Sequence, residues 1–154
     1  MADTPQQPSF QIEKIYVKDI SLEIPNAPQV FLEAQGPQLE IQVRNESAQF
    51  AEGLYEVVIT VTVTAKAGDK TMFLAEASQA GIFSLRDVPQ DDLEPLLAVA
   101  CPTILYPYAR ETISDLVTRG GFPPVLLAPV SFEAIYAQRQ QQQGAAGPRI
   151  ELAS

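Results

Sequence analysis

Alternation of apolar and polar positions organises the first half of the chain. Leu54 to Ala65 shows it most cleanly. Tyr55, Val57, Ile59, Val61 and Val63 share one parity and Glu56, Val58, Thr60, Thr62 and Thr64 the other, the period of a strand with two unlike faces. Phe10 to Ile24 alternates less regularly. Phe10, Ile12, Tyr16, Ile20, Leu22 and Ile24 share one parity, but Lys14 and Lys18 interrupt it while Ile15 and Val17 sit on the other. A bulge near Tyr16 would reassign these faces. Leu39, Ile41 and Val43 mark a second strand, followed by a polar connection over 45–52. Thr71 to Leu85 marks a fourth, in which Phe73, Ala75 and Ala77 oppose Met72, Leu74 and Glu76. AKAGDK, with Gly68 at its tip, reads as the hairpin before it. Pro25, Pro28 and Pro37 punctuate IPNAPQVFLEAQGP, a loop whose Val30, Phe31 and Leu32 are expected to pack across the domain or cover a groove.

The second half changes period. Asp92 to Gly121 predicts one long helix, with Asp92 as N-cap, Pro95 in the first turn, Arg119 at the negative end of the dipole and Gly120 as a left-handed C-cap. Leu93, Leu97, Ala100, Ile104 and Tyr108 recur at helical spacing, and Ile113, Leu116 and Val117 resume the stripe. Continuous helix over 93–119 would span roughly 40 Å. Pro102 and Pro107 should each bend it. Residues 96–100 and 104–108 are apolar almost all the way round, which predicts cover on two sides, by the sheet and by another subunit. After the proline-rich GFPPVLLAPVS, Phe132 to Gln143 predicts a shorter helix with Phe132, Ile135 and Tyr136 on one side. The expected fold is therefore α+β: a four-stranded antiparallel sheet with one long and one shorter C-terminal helix packed on one side. It forms a single domain over 10–143, with a disordered start (1–9) and a flexible tail (144–154).

Composition narrows the function classes. The chain has 154 residues, 46% of them hydrophobic, enough for one domain with a real core. No stretch approaches the ~20 apolar residues of a membrane span. The start, MADTPQQPSF, lacks the basic and apolar regions of a signal peptide, so a cytoplasmic location is expected. A net charge of −9 argues against nucleic acid and anionic membranes as partners and is compatible with basic ones. The chain has no histidine, which removes Ser-His-Asp and Cys-His catalysis and most zinc or copper sites. No catalytic residue, metal ligand or cofactor is assigned. Cys101, before Pro102 in an apolar helix, reads as a buried small hydrophobe rather than a nucleophile.

YVKDISLEIPNAPQVF, LYEVVITVTVTA, FLAEASQAGIFSL, CPTILYPYARE and LAPVSFEA, in that order, resemble the SecB family of bacterial protein-export chaperones, over roughly Phe10 to Gln142. The resemblance implies a homotetramer, a dimer of dimers with the long helices sandwiched between dimers. It also implies capture of unfolded precursor proteins in apolar grooves and delivery to the SecA motor, without cofactor or turnover. The SecA-docking positions it implies are Asp19, Glu23, Leu74 and Glu76, which would meet a small, basic, zinc-bearing C-terminal element whose zinc belongs to SecA. Clustered carboxylates suit a cationic partner, and an apolar contact such as Leu74 adds short-range affinity. Paired strand carboxylates also serve as a plain solvated face.

Positions matching the family's client groove are Tyr16, Ile41, Val43, Phe73 and Tyr136; Tyr16 and Phe73 would equally suit a core, whereas Ile41 and Val43, on an outer strand, favour the groove. The tryptophan that some relatives carry in the crossover loop is absent, and Gln35 stands there. Ala75, Ala77 and Gln79, with Cys101 and Ile104 on the helix, match positions implicated in tetramer assembly, although small residues are ordinary in strands. Three rival readings remain open: a SecB-like chaperone of a toxin–antitoxin pair, a small oligomeric acyl or small-molecule enzyme with a sheet wrapped on a central helix, and a purely structural oligomer. Against the enzyme, Glu111 and Asp115 lie towards the helix end, where Arg110 and Arg119 can pair with them.

Overall fold

A computed structural model of the protein describes residues 7–146. Four strands, β1 (Ser9–Glu23), β2 (Gln38–Ala51), β3 (Leu54–Ala67) and β4 (Lys70–Arg86), form one antiparallel sheet in the order β1-β4-β3-β2. The expected fold class holds, with boundaries displaced in three places besides the start of the long helix. β1 begins at Ser9, inside the segment expected to be disordered. The polar run 45–51 is strand rather than connection: Asn45, Ser47 and Gln49 pair with Ile59, Val57 and Tyr55. Ladder bonds belong to the backbone, so an edge strand keeps its pairing without apolar side chains. The β2–β3 turn shrinks to Glu52 and Gly53, where Gly53 adopts φ 70°. The third displacement is α3, which spans Phe132–Ala146. The expectations for residues 1–6 and 147–154 lie outside the described residues.

Register explains the broken alternation of β1. Shifts between Ile12 and Lys14 and between Val17 and Asp19 insert an extra residue on each side of Tyr16. Each bulge reverses parity, so Ile12, then Ile15 and Val17, then Ile20 and Leu22 all reach one face. That face looks towards the helix: Thr112 of the helix hydrogen-bonds the Gln79 side chain, and Gln79 shares its parity with Phe73, Ala75, Ala77, Gly81 and Phe83. Glu56, Thr60, Thr62, Leu74, Glu76 and Ser78 face the other way.

The long helix comprises α1 (Gln90–Pro95), a π turn (Leu96–Ala100) and α2 (Cys101–Arg119). It starts before the expected N-cap: Pro89 occupies the cap, and Asp91 and Asp92 lie in the first turn, where the dipole favours carboxylates. Pro102 cannot donate to the Ala98 carbonyl. The Asn45 side-chain amide does so instead at 3.3 Å, and the wider π winding absorbs the break. At the far end the left-handed residue is Gly121 (φ 89°), not Gly120 (φ −78°). Phe122 N–H reaches Val117 O at 3.3 Å and Gly121 N–H reaches Thr118 O at 3.0 Å, the paired bonds of a Schellman ending.

α2 lies across β3 and β4. Its buried residues are Cys101, Leu105, Ala109, Ile113 and Val117, with Pro102 and Tyr106. The stripe through Ile104 and Tyr108 therefore lies to one side of that buried row: Ile104 is half-buried against the edge of the core, and Tyr108 is 49% exposed. Gly81 leaves no room for a side chain under the helix: a Cβ there would meet Phe83 at 2.8 Å and Leu105 at 2.9 Å. α3 packs on the π turn, and Tyr106 donates to the Ala128 carbonyl at 2.6 Å, anchoring the segment between the helices.

Candidate functional site

On the outer face of the sheet the register assembles the four residues expected to dock SecA. Asp19 pairs with Ser78, Ser21 with Glu76 and Glu23 with Leu74, so the two β1 carboxylates flank Glu76 diagonally and Leu74 lies directly beside Glu23. Asp19 and Glu23 are exposed, and Leu74 and Glu76 are half-buried. Thr62 donates to Glu76 Oε2 at 2.9 Å, tying that carboxylate to the neighbouring strand β3. Nearer the middle, Lys18 Nζ binds Glu56 Oε1 at 2.8 Å and the Tyr16 hydroxyl donates to Glu56 Oε2. The Lys18 and Tyr16 bonds hold the Glu56 carboxyl below its usual range against a smaller opposing effect of burial. Burial, and then the hydrogen bond to Glu56 and its negative charge, push the Tyr16 hydroxyl up to about 12.

The residues expected to line a client groove do not come together. Tyr16 sits on the outer face beside the carboxylates. Ile41 and Val43 lie on the helix-facing side of edge strand β2, which α2 does not cover; Ile41 is 43% exposed, with Leu39 exposed beside it. Phe73 is enclosed at 2% exposure, its ring 4.9 Å from Phe122, and is a core residue. Tyr136 lines a cavity of about 680 Å³ with Phe10, Val88, Pro95, Leu96 and Val99, between the start of β1, the start of the long helix and α3.

Of the loop residues expected to pack across the domain, Val30 is buried and Phe31 is seated on Phe122, while Leu32 stays open; Phe122 and Leu126 had no role assigned from the sequence. Phe31 stacks on Phe122 at 5.2 Å, so Phe31, Phe122 and Phe73 form an aromatic row from the surface into the core. Leu32 (86% exposed) and Leu126 (83% exposed) extend the uncovered surface. The signal available was apolar residues inside proline-rich loops, which normally stay polar when they face only water.

The positions expected at the tetramer interface also divide. Ala75, Ala77 and Gln79 are buried on β4 beneath α2, and Cys101 is buried on α2 itself, so none of the four presents a surface for association. Ile104 is half-buried to one side of the buried row of α2, near exposed Pro107 and Tyr108. A cavity of about 480 Å³ lies there, between the inner side of β1 (Ile15, Val17) and α2 (Pro107, Tyr108). Burial pushes the Cys101 thiol up to about 12, which leaves it protonated at neutral pH. Among the described residues, no cluster of three or more Cys, Asp or Glu could hold a metal, and no helix is long and apolar enough to cross a membrane.

A sheet with one helix-covered face, one carboxylate-bearing face and apolar margins left open is an architecture suited to binding other polypeptides. The family described as Preprotein translocase subunit SecB matches residues 3–143, and the chain belongs to that family. Among its relatives, the protein-export protein SecB of Methylobacillus flagellatus is 62% identical over 92% of this chain and 90% of its own. That of Chromobacterium violaceum is 62% identical over 92% of this chain and 94% of its own. A solved SecB-like chaperone of Mycobacterium tuberculosis, in complex with a ChAD peptide from the HigA1 antitoxin, shares the fold with a TM-score of 0.66. It is 22% identical, over 79% of this chain and 90% of that one.

Proposed function

We propose that this chain is a cytoplasmic, ATP-independent export chaperone. It holds unfolded secretory precursors on its apolar margins, keeps them competent for translocation and hands them to SecA through the outer face of the sheet. The carrying observation is the division of the sheet itself. Apolar side chains that α2 leaves bare (Leu39, Ile41) lie on one side, and the Asp19–Glu23–Glu76 carboxylates with Leu74 on the other. Two partners of opposite chemistry can then be held at once. Extended clients suit the free edge of β2, whose backbone can pair with any sequence while Ile41 and Val43 supply apolar contact.

A homotetramer accounts for the face of α2 bearing Ile104, Pro107 and Tyr108 and for the half-covered inner side of β1, where Val17 and Ile20 remain exposed. No turnover and no bound cofactor belong to this reading. Neither nucleic acid nor the bilayer is a partner, in keeping with the charge of −9.

The test is to mix the purified protein with one secretory precursor, unfolded or already folded, and to measure complex formation. Stoichiometric capture of the unfolded form alone is expected. Capture of neither form would overturn the chaperone reading, and preference for an antitoxin segment over precursors would move the chain to the toxin–antitoxin role.

A further inference from the structure

The bulge at Val17–Asp19 has an electrostatic consequence. In a regular strand Lys18 and Asp19 would point to opposite faces. Here Lys18 is the extra residue, without a partner on β4, and its ammonium emerges on the same outer face as Asp19. A cation is thereby placed among carboxylates expected to receive a basic partner. Left free, it would pair with Asp19 or Glu76 and repel that partner.

The structure gives it another occupant. Glu56, reaching from β3 across β4, takes the ammonium on Oε1 at 2.8 Å while its Oε2 accepts the Tyr16 hydroxyl. Tyr16 pairs with Ala80, a side chain small enough for the ring to lie across β4. Both oxygens of Glu56 are thus engaged. Asp19, Glu23 and Glu76 make no ion pair among the described residues, and Glu76 is oriented only by the neutral Thr62 hydroxyl.

We infer that Glu56 is a positioning residue of the acidic docking face: by holding Lys18, with Tyr16 as its brace, it keeps the carboxylates of Asp19 and Glu76 free for a cationic partner. This rests on the docking role proposed above. Glu56 itself need not touch the partner; it acts through Lys18.

The experiment is a double-mutant cycle on the full chain. The affinity of a synthetic, zinc-loaded peptide of the basic C-terminal element of SecA is measured for the unsubstituted protein, Glu56→Gln, Lys18→Gln and the double variant, at low and high salt. Glu56→Gln is expected to weaken binding about five-fold at low salt, and by less at high salt. Lys18→Gln should change affinity less than about two-fold in the unsubstituted background but recover most of the loss in the Glu56→Gln background. Tyr16→Phe, which removes one bond of the clasp and keeps the ring, should weaken binding about two-fold in the same direction. Capture of an unfolded precursor should match across the set, and every variant should melt cooperatively close to the unsubstituted protein, since a partly exposed ion pair contributes little stability. If Lys18→Gln produces the same factor in both backgrounds, or Glu56→Gln leaves affinity unchanged, the charges act independently and the inference is overturned. Failure of the unsubstituted protein to bind the peptide, with precursor capture intact, overturns the docking reading and this inference with it.

Discussion

The two faces of the sheet are built from the same four strands and obey different rules. On the helix-facing side Val57, Ile59, Val61, Val63, Phe73 and Phe83 are almost wholly enclosed beneath α2, and identity matters there through volume. On the outer side Thr60–Ser78, Thr62–Glu76 and Tyr16–Glu56–Lys18 form a lattice of cross-strand polar pairs, and identity matters through charge and hydrogen-bond direction. Burial is concentrated on the first face, and the second is where the proposed docking of a basic partner would fall. The margins mix the two: at β2 the helix-facing parity runs beyond α2, and residues that look like core become accessible surface.

Substitutions can break that comparison or sharpen it. The largest effect is expected beneath the helix. Leu105→Ala should cost about 2–5 kcal/mol in denaturant unfolding, because the cavity lies between α2 and Gly81 with no solvent access. Asp19→Ala with Glu76→Ala should move stability by no more than about 0.5 kcal/mol while abolishing SecA docking in a pull-down. A large stability loss there would mean that the outer face is structural. At the margin, Leu39→Ser with Ile41→Ser should weaken capture of an unfolded precursor several-fold in a competition assay, with the melting temperature nearly unchanged. Cys101 should react with a thiol reagent far more slowly in the native protein than in denaturant, since burial keeps it protonated. The smallest effect concerns pH. Glu56 is more acidic folded than unfolded, so its clasp contributes above the ordinary glutamate range and is lost as pH falls through the lower folded value. Acid titration of Glu56→Gln should therefore show a slightly flatter loss of stability than the unsubstituted protein.

Legibility in the sequence followed the same division. β3 was readable because both of its neighbours are strands and its alternation meets no interruption. β1 was readable as a strand but not in its faces: two inserted residues invert parity twice, and only pairing with β4 reveals where. The strand over 45–51 was hidden because an edge strand can be polar. In the long helix, apolar residues on all sides left the phase undetermined, and the π turn before Pro102 placed Leu105 rather than Ile104 on the sheet. Asp19 and Glu23, and likewise Leu74 and Glu76, were legible as sharing a face because even spacing within a strand survives locally, and pairing of β1 with β4 brings the two sets together. The client positions scattered because apolar character alone does not distinguish core from uncovered surface.

By itself the sequence determined the element types, their order, the hairpin at Gly68, the absence of histidine chemistry and the family. All of these depend on local periodicity, on turn residues or on composition. Tertiary structure alone decided which side of each element is covered, that Phe73 is enclosed while Ile41 is open, and that Lys18 shares a face with Asp19 and is held by Glu56 from a strand 38 residues away. Those outcomes depend on register and on the reach of one helix over four strands. Both are set by the packing of segments distant in the chain, and no window along the sequence contains them.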